Sequence, residues 1–330
     1  MIEDIVKEFA MKVFPGGVLA VFRKSGIVHV EPFGRKNLDG DEVDENTMYD
    51  LASLTKVLAT APLILKAVEE GKLSLSSRLS DFFEELENDW KKDVRIYHLL
   101  THTSGLPAYY NLEGAEHKRK TVLGLKKEYE PFSRVVYSCM GFITLGFVLE
   151  KIYQKPLDEL AREKLYKPLG LKNTLYKPIV YSVKNIAPTT FKGIVHDPNA
   201  RALSGVAGNA GLFSTAVDVA KFMVSYINGG VVSLQTVEIA TKNYTEGLGD
   251  NRGLGWQIKK SFSEVYPNLI HDGSFGHTGY TGTQVWYDPY ADCGVVLLTN
   301  RVNIADTDES KMLMNEFRRR VGNRVITKCV

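Results

Sequence analysis

The sequence predicts an α/β (α+β) fold in which one antiparallel sheet, flanked by helices and built from both ends of the chain, carries an all-helical insertion. Three observations predict it. Short β-rich runs occur near the start of the chain and again after Gly253. The stretch between them, 73–214, reads mostly as short helices with polar loops. Apolar residues at 44% and charged ones at 24% are ordinary for a soluble globular chain, and 330 residues can bury roughly three quarters of their unfolded surface. The expected division is 1–72 plus 215–330 for the sheet unit and 73–214 for the insertion.

Residues 2–13 read as an amphipathic helix, with Glu3 and Asp4 at the end where the helix dipole favours acids. Gly16-Gly17 opens a strand over 18–22, and Ser25-Gly26 turns it into a second over 27–30. Asp39-Gly40-Asp41 is loop chemistry. Over 52–70, Val57, Leu58, Ala61, Leu65 and Val68 take helical spacing; Pro62 should kink this helix and Gly71 end it. The charge-rich stretch 113–130 predicts an exposed excursion. Helices follow over 141–153, stopped by Lys155-Pro156, and over 217–227, stopped by Gly229-Gly230. The runs 254–259, 283–287 and 294–298 predict consecutive antiparallel strands, and 310–321 a closing helix.

The net charge, 41 − 39 = +2, argues against a nucleic-acid or membrane-surface partner. Arg318-Arg319-Arg320 is a local exception that reads, with Glu309 and Glu316, as a solvated helix face. Cys139, Cys293 and Cys329 form no CxxC pair, which argues against a disulfide framework or zinc ribbon and fits a reducing compartment. The first residues lack the basic head and apolar stretch of a signal peptide, and no run approaches the ~20 apolar residues of a membrane span. A cytoplasmic location is expected.

The chemistry concentrates in three fragments. In Asp50-Leu51-Ala52-Ser53-Leu54-Thr55-Lys56, Ser53 and Lys56 form S-x-x-K at a helix start. Positions three apart share a helix face, so the amine can reach the hydroxyl. Serine needs such a base, and lysine can be one only if its surroundings depress its pKa. The free N–H groups of a helix start suit an oxyanion. The second fragment, Tyr137-Ser138-Cys139, enters an apolar helix; a phenolate at Tyr137, stabilised by Lys56, could equally take the proton. The third, His277-Thr278-Gly279-Tyr280, runs into a strand whose N–H groups and glycines admit a substrate carbonyl.

In this order the fragments resemble the serine β-lactamase and penicillin-binding-protein superfamily, whose signature is S-x-x-K with a later Lys-Thr-Gly. The resemblance covers nearly the whole chain, including LLTHTSGL at 99–106, KPLGLKNT at 167–174, AGNAGLFST at 207–215 and LLTN at 297–300. These look like the branch of class C β-lactamases, DD-peptidases and family VIII-type carboxylesterases. The resemblance implies a β-lactamase/transpeptidase-like fold with its active site between the two units. It implies Ser53 as acylated nucleophile, Lys56 and Tyr137 as acid–base pair, and backbone N–H groups of Ser53 and Tyr280 as oxyanion hole. It places Cys139, His277, Thr278 and Gly279 along the substrate, with no metal and no organic cofactor.

Two departures from the family pattern shape the expected substrate. His277 stands where many β-lactamases have lysine, so a permanent cation for a substrate carboxylate is missing. Cys139 stands where the family usually has asparagine, and a thiol is a weak donor and acceptor. Small carboxylic esters are therefore expected first, then D-amino-acid peptides or amides (a DD-carboxypeptidase or D-aminopeptidase), then β-lactams. A non-catalytic binding relative is the alternative from another class. Elsewhere, His98 and His102 have metal-pair spacing but an apolar, structural setting. Gly205, Gly208 and Gly211 make no nucleotide motif and should border the active site. His196-Asp197 could suggest a triad with Ser53, for which S-x-x-K leaves no need, and Cys139 has no marked histidine partner that would make it a nucleophile.

Overall fold

The computed structural model describes residues 1–329. Its strands, in chain order, are β1 (Gly16–Arg23), β2 (Gly26–Gly34), β3 (Tyr49–Asp50), β4 (Leu175–Tyr176), β5 (Leu212–Ser214), β6 (Gln257–Ile258), β7 (Phe275–Thr278), β8 (Gln284–Asp288) and β9 (Cys293–Thr299). Six form one sheet in the order β2-β1-β9-β8-β7-β6, antiparallel throughout. The two ends of the chain meet where β1 pairs with β9, Val18 opposite Leu298 and Ala20 opposite Val296.

Both faces of the inner strands β1, β9 and β8 are buried, and the side chains of β1 alternate between them. Val18, Ala20 and Phe22 join the main core, where the helix Ala216–Ile227 packs. Leu19 and Val21 face a second cluster containing Ile5 and Phe9 of the N-terminal helix (Glu3–Phe9) and Met314, Phe317, Val321 and Val325 of the C-terminal helix (Asp308–Cys329). The 3–4 residue spacing of the last four makes one helical stripe.

Several expectations are corrected. The anticipated strand over 254–259 shrinks to β6, because Gly255 has φ +92° and approaches the 52–70 segment so closely that a Cβ would lie 2.8 Å from the Ala61 Cβ. A second sheet, β3-β5-β4, was not foreseen; its strands have two or three residues, too few to show alternation. The excursion 113–130 contains the helix Lys118–Leu123 and buries Val122, Leu123 and Leu125 in the main core, while its charges stay outside.

Cys293 and Cys329 are disulfide-bonded, contrary to the expected free thiols, because the C-terminal helix ends beside the start of β9 with the two Cα atoms 6.1 Å apart. A disulfide sits poorly with the reducing compartment that the cysteine count suggested. The arginine triplet is split. Arg319 and Arg320 lie at the surface, Arg320 paired with Glu8, but Arg318 falls on the buried stripe and is 6% exposed. No helix among the described residues is long and apolar enough to cross a membrane.

Candidate active site

The segment 52–70 is not one regular helix. A 3₁₀ turn (Ala52–Leu54) passes through a π-type stretch (Lys56–Thr60) into an α-helix (Ala61–Glu69). Pro62 stands at the change. It has no N–H for the Leu58 carbonyl four residues back, and that carbonyl accepts instead from the Tyr166 hydroxyl at 3.3 Å. Ala52, immediately before Ser53, has φ +47°, a strained conformation for a residue with a Cβ. Buried Asp50 holds it, accepting from the Ala52 N–H at 2.9 Å and from the His196 N–H at 2.6 Å. Burial raises the Asp50 carboxyl to about 6 despite these two bonds.

Lys56 Nζ lies 3.1 Å from Ser53 Oγ, 3.0 Å from the Asn209 carbonyl and 3.8 Å from Cys139 Sγ. Its ammonium also stands 4.9 Å from the Tyr137 ring centre. S-x-x-K thus meets both halves of the second fragment at one fully buried amine. Burial is the strongest single influence on that amine and opposes its charge. The polar neighbours Cys139 and Tyr137, a hydrogen bond to Tyr137 and the more distant Asp197 together outweigh it, so its pKa lies above the ordinary lysine value. The depressed pKa that a free lysine base requires is not found, and Lys56 stands as a cation beside Ser53 and Tyr137.

Tyr137 is placed by the helix that follows it. Ser138 caps the helix Cys139–Tyr153, its Oγ accepting from the Gly141 N–H at 3.1 Å and donating to the Pro107 carbonyl at 2.6 Å. The Ser138 N–H donates to His102 Nδ1 at 3.0 Å, which leaves the His102 proton on Nε2. The His102 ring rests 4.7 Å from that of Tyr137. Burial, then the charges of Arg252 and Lys56, hold His102 neutral, well below the usual histidine value.

The third fragment is β7 and the tight turn into β8. Its threonines bind the backbone in front of Ser53: Thr281 donates to the Asp50 carbonyl at 2.8 Å and Thr283 to the Leu51 carbonyl at 3.0 Å. The peptides of Ser53 and Tyr280 are thereby held in register. Gly279 is required by this closeness, since a Cβ would lie 2.5 Å from the Leu51 carbonyl oxygen. His277 donates from Nδ1 to the Thr278 carbonyl at 2.8 Å. Its Nε2 is a buried acceptor with no partner among the described residues. Burial and then Arg252 keep this ring neutral too, in line with the missing cation at this position.

These groups line a cavity of about 410 Å³ that includes Ser53, Tyr137, Arg252, His277, Thr278 and Tyr280. Arg252 was not anticipated from the sequence. It is held by Asp250 at 2.6 Å, and its guanidinium stands 5.5 Å from the Tyr137 ring centre. Nor were Asn209, Thr281, Thr283 and Arg318 singled out. The threonines lie in or beside a quoted motif, but the carbonyls they hold are more than 200 residues away. The 205–211 loop does border the site, through the Asn209 carbonyl on Lys56 and the Gly208 carbonyl on Thr60.

The remaining pairs serve structure. His98 Nδ1 accepts from the Arg95 N–H at 3.1 Å at a helix start, and no metal-binding cluster occurs among the described residues. Asp197 caps the helix Pro198–Ala202, while the His196 ring lies against Tyr280 and 3.9 Å from Asp306, so the two make no triad with Ser53.

Residues 2–317 match the Beta-lactamase family. Over 353 aligned positions the chain is 32% identical to an Escherichia coli (strain K12) protein named "Putative D-alanyl-D-alanine carboxypeptidase", covering 90% of this chain and 81% of that one. It is also 32% identical to "N-acetylmuramyl-L-alanine amidase" of Bacillus subtilis (strain 168), covering 90% and 80%. Its fold superposes on an octameric penicillin-binding protein homologue from Pyrococcus abyssi with TM-score 0.75 and 25% identity, over 95% of this chain and 75% of that one. The full-length match, the two relatives above 30% identity and the shared antiparallel architecture make this chain a hydrolase of the beta-lactamase family.

Proposed function

We propose that the protein hydrolyses small carboxylic esters through an acyl-enzyme on Ser53. The observation that carries this reading is the 3.1 Å contact between Ser53 Oγ and the buried Lys56 amine, with Tyr137 beside it. Tyr137, as phenolate, takes the Oγ proton while Lys56 balances its charge. The Oγ–C bond forms, the carbonyl electron pair moves to oxygen, and the N–H groups of Ser53 and Tyr280 receive the oxyanion. Collapse breaks the bond to the leaving alkoxide, which takes the proton back from Tyr137. Water then repeats the sequence on the acyl group and frees Ser53. The site would lie between the sheet unit and the insertion, with Ser53 and 277–280 from one and Tyr137 and Cys139 from the other.

Cys139 supports the ester preference. Its thiol meets Lys56 but cannot offer an amide side chain to a substrate amide. A second reading, hydrolysis of D-amino-acid peptides, is supported by Arg252, a cation in the cavity suited to a terminal carboxylate, and by the name of the Escherichia coli relative. Comparing kcat/KM for a p-nitrophenyl butyrate ester, an N-acyl-D-alanyl-D-alanine and a penicillin decides between them, with Ser53→Ala as control. Ester turnover that needs Ser53 and exceeds the others is expected. Faster dipeptide turnover would favour the second reading, and no Ser53-dependent turnover at all would favour a binding protein.

A further inference from the structure

Six lysines and arginines are buried: Lys56, Lys91, Arg252, Lys259, Arg301 and Arg318. Four have a carboxylate within 4 Å: Lys91 has Asp89, Arg252 has Asp250, Lys259 has Asp272 and Arg301 has Asp306. Among the described residues only Lys56 and Arg318 have none. A buried charge without a counter-ion costs several kcal/mol, so its surroundings must favour it in another way. For Arg318 they do so with carbonyl dipoles. One terminal nitrogen donates to the Gly279 carbonyl at 2.5 Å and to the Thr283 carbonyl at 2.9 Å, and the other donates to Asn315 Oδ1 at 3.0 Å. Burial lowers its pKa to about 9, which leaves it charged at neutral pH.

The Gly279 carbonyl belongs to the same peptide group as the Tyr280 N–H. A cation on the oxygen end of a peptide draws electron density from nitrogen and makes its N–H a stronger donor. We propose that Arg318 is a positioning residue of the oxyanion hole, which aims and polarises the Gly279–Tyr280 peptide from behind so that its N–H binds the developing oxyanion more strongly. Arg301 assists the aim, donating to the next carbonyl, that of Tyr280, at 3.1 Å. The inference rests on the proposed role of the Tyr280 N–H.

The test uses the full chain with Arg318→Lys and Arg318→Met, p-nitrophenyl butyrate as substrate and phenylboronic acid as a tetrahedral mimic. Folded, active protein is counted by fluorophosphonate titration of Ser53. Losing one oxyanion donor typically costs ~10²–10³ in rate, so losing its polarisation should cost roughly tenfold to a hundredfold in kcat for Arg318→Met. KM should stay nearly unchanged, Ki for the boronate should rise by the same factor, and Arg318→Lys should fall between. A merely structural Arg318 would lower the titratable fraction and leave kcat and Ki of the surviving sites unchanged, which overturns the proposal even for a poorly folding variant. Absence of Ser53 labelling and boronate binding in the unaltered protein would overturn the acyl-enzyme reading as well.

Discussion

Cys139 touches Lys56 through sulfur, at the position where the family resemblance implies an asparagine. If that thiol is what favours esters, Cys139→Asn should raise the ratio of dipeptide to ester kcat/KM by about tenfold, one good hydrogen bond at a reacting substrate. An unchanged ratio in competition assays would remove Cys139 from the account of specificity. Gly279→Ala makes a sharper demand. Its methyl would collide with the Leu51 carbonyl and Thr283 Oγ1, so the turn must move away from Ser53. A kcat loss of about 10²-fold or more, with Ser53 intact by peptide mapping, is expected.

The turn after β7 and the turn before Ser53 behave as one element, because Thr281 and Thr283 bridge them. Thr281→Val leaves the buried Asp50 carbonyl without its donor, and a loss of about 1–3 kcal/mol in urea unfolding is expected, with kcat falling as register loosens; Thr283→Val should cost less, because the Leu51 carbonyl keeps the Leu54 N–H at 3.1 Å. Loss of stability with unchanged kcat would show that the bridge only stabilises. The outer helices were legible from periodicity, since each buries a helical stripe, and the hairpin and the strands β8 and β9 from β-rich runs set off by Gly, Pro and Asp. Ser53, Lys56 and Tyr137 were legible from motif spacing and from resemblance. The clamps were not. Arg252 lies in a loop with no pattern around it, Asn209 acts through its backbone, and Arg318 sits within a charge run that reads as surface until the helix phase is known.

Across the whole molecule, burial depresses four histidines: His98 to about 4, His196 below its usual value, and His102 and His277 well below it. The unfolded chain binds protons at these groups below pH ~6.5 that the folded chain refuses. Their contribution to stability is present above that pH and lost as the pH falls. Asp50, raised to about 6, works the other way: its contribution is present below ~4 and lost as the pH rises through 6. The histidines outnumber it, so unfolding midpoints should drop from pH 7.5 to 5.5, and His102→Gln should flatten that slope by up to about 1.4 kcal/mol per pH unit at the acid end of the range. A slope unaltered by His102→Gln would mean that its ring is already charged in the folded state. The Cys293–Cys329 bridge closes a 36-residue separation, and reduction should cost about 3–4 kcal/mol, read as a lower Tm under reductant.

The most direct test of the central claim is intact-protein mass spectrometry after brief mixing with p-nitrophenyl butyrate, with the adduct mapped to its peptide. The expected result is a single butyryl group on Ser53, absent in Ser53→Ala and slow to form in Tyr137→Phe. Ester turnover by the unaltered protein that persists in Ser53→Ala, or an adduct mapped to Cys139, would contradict it.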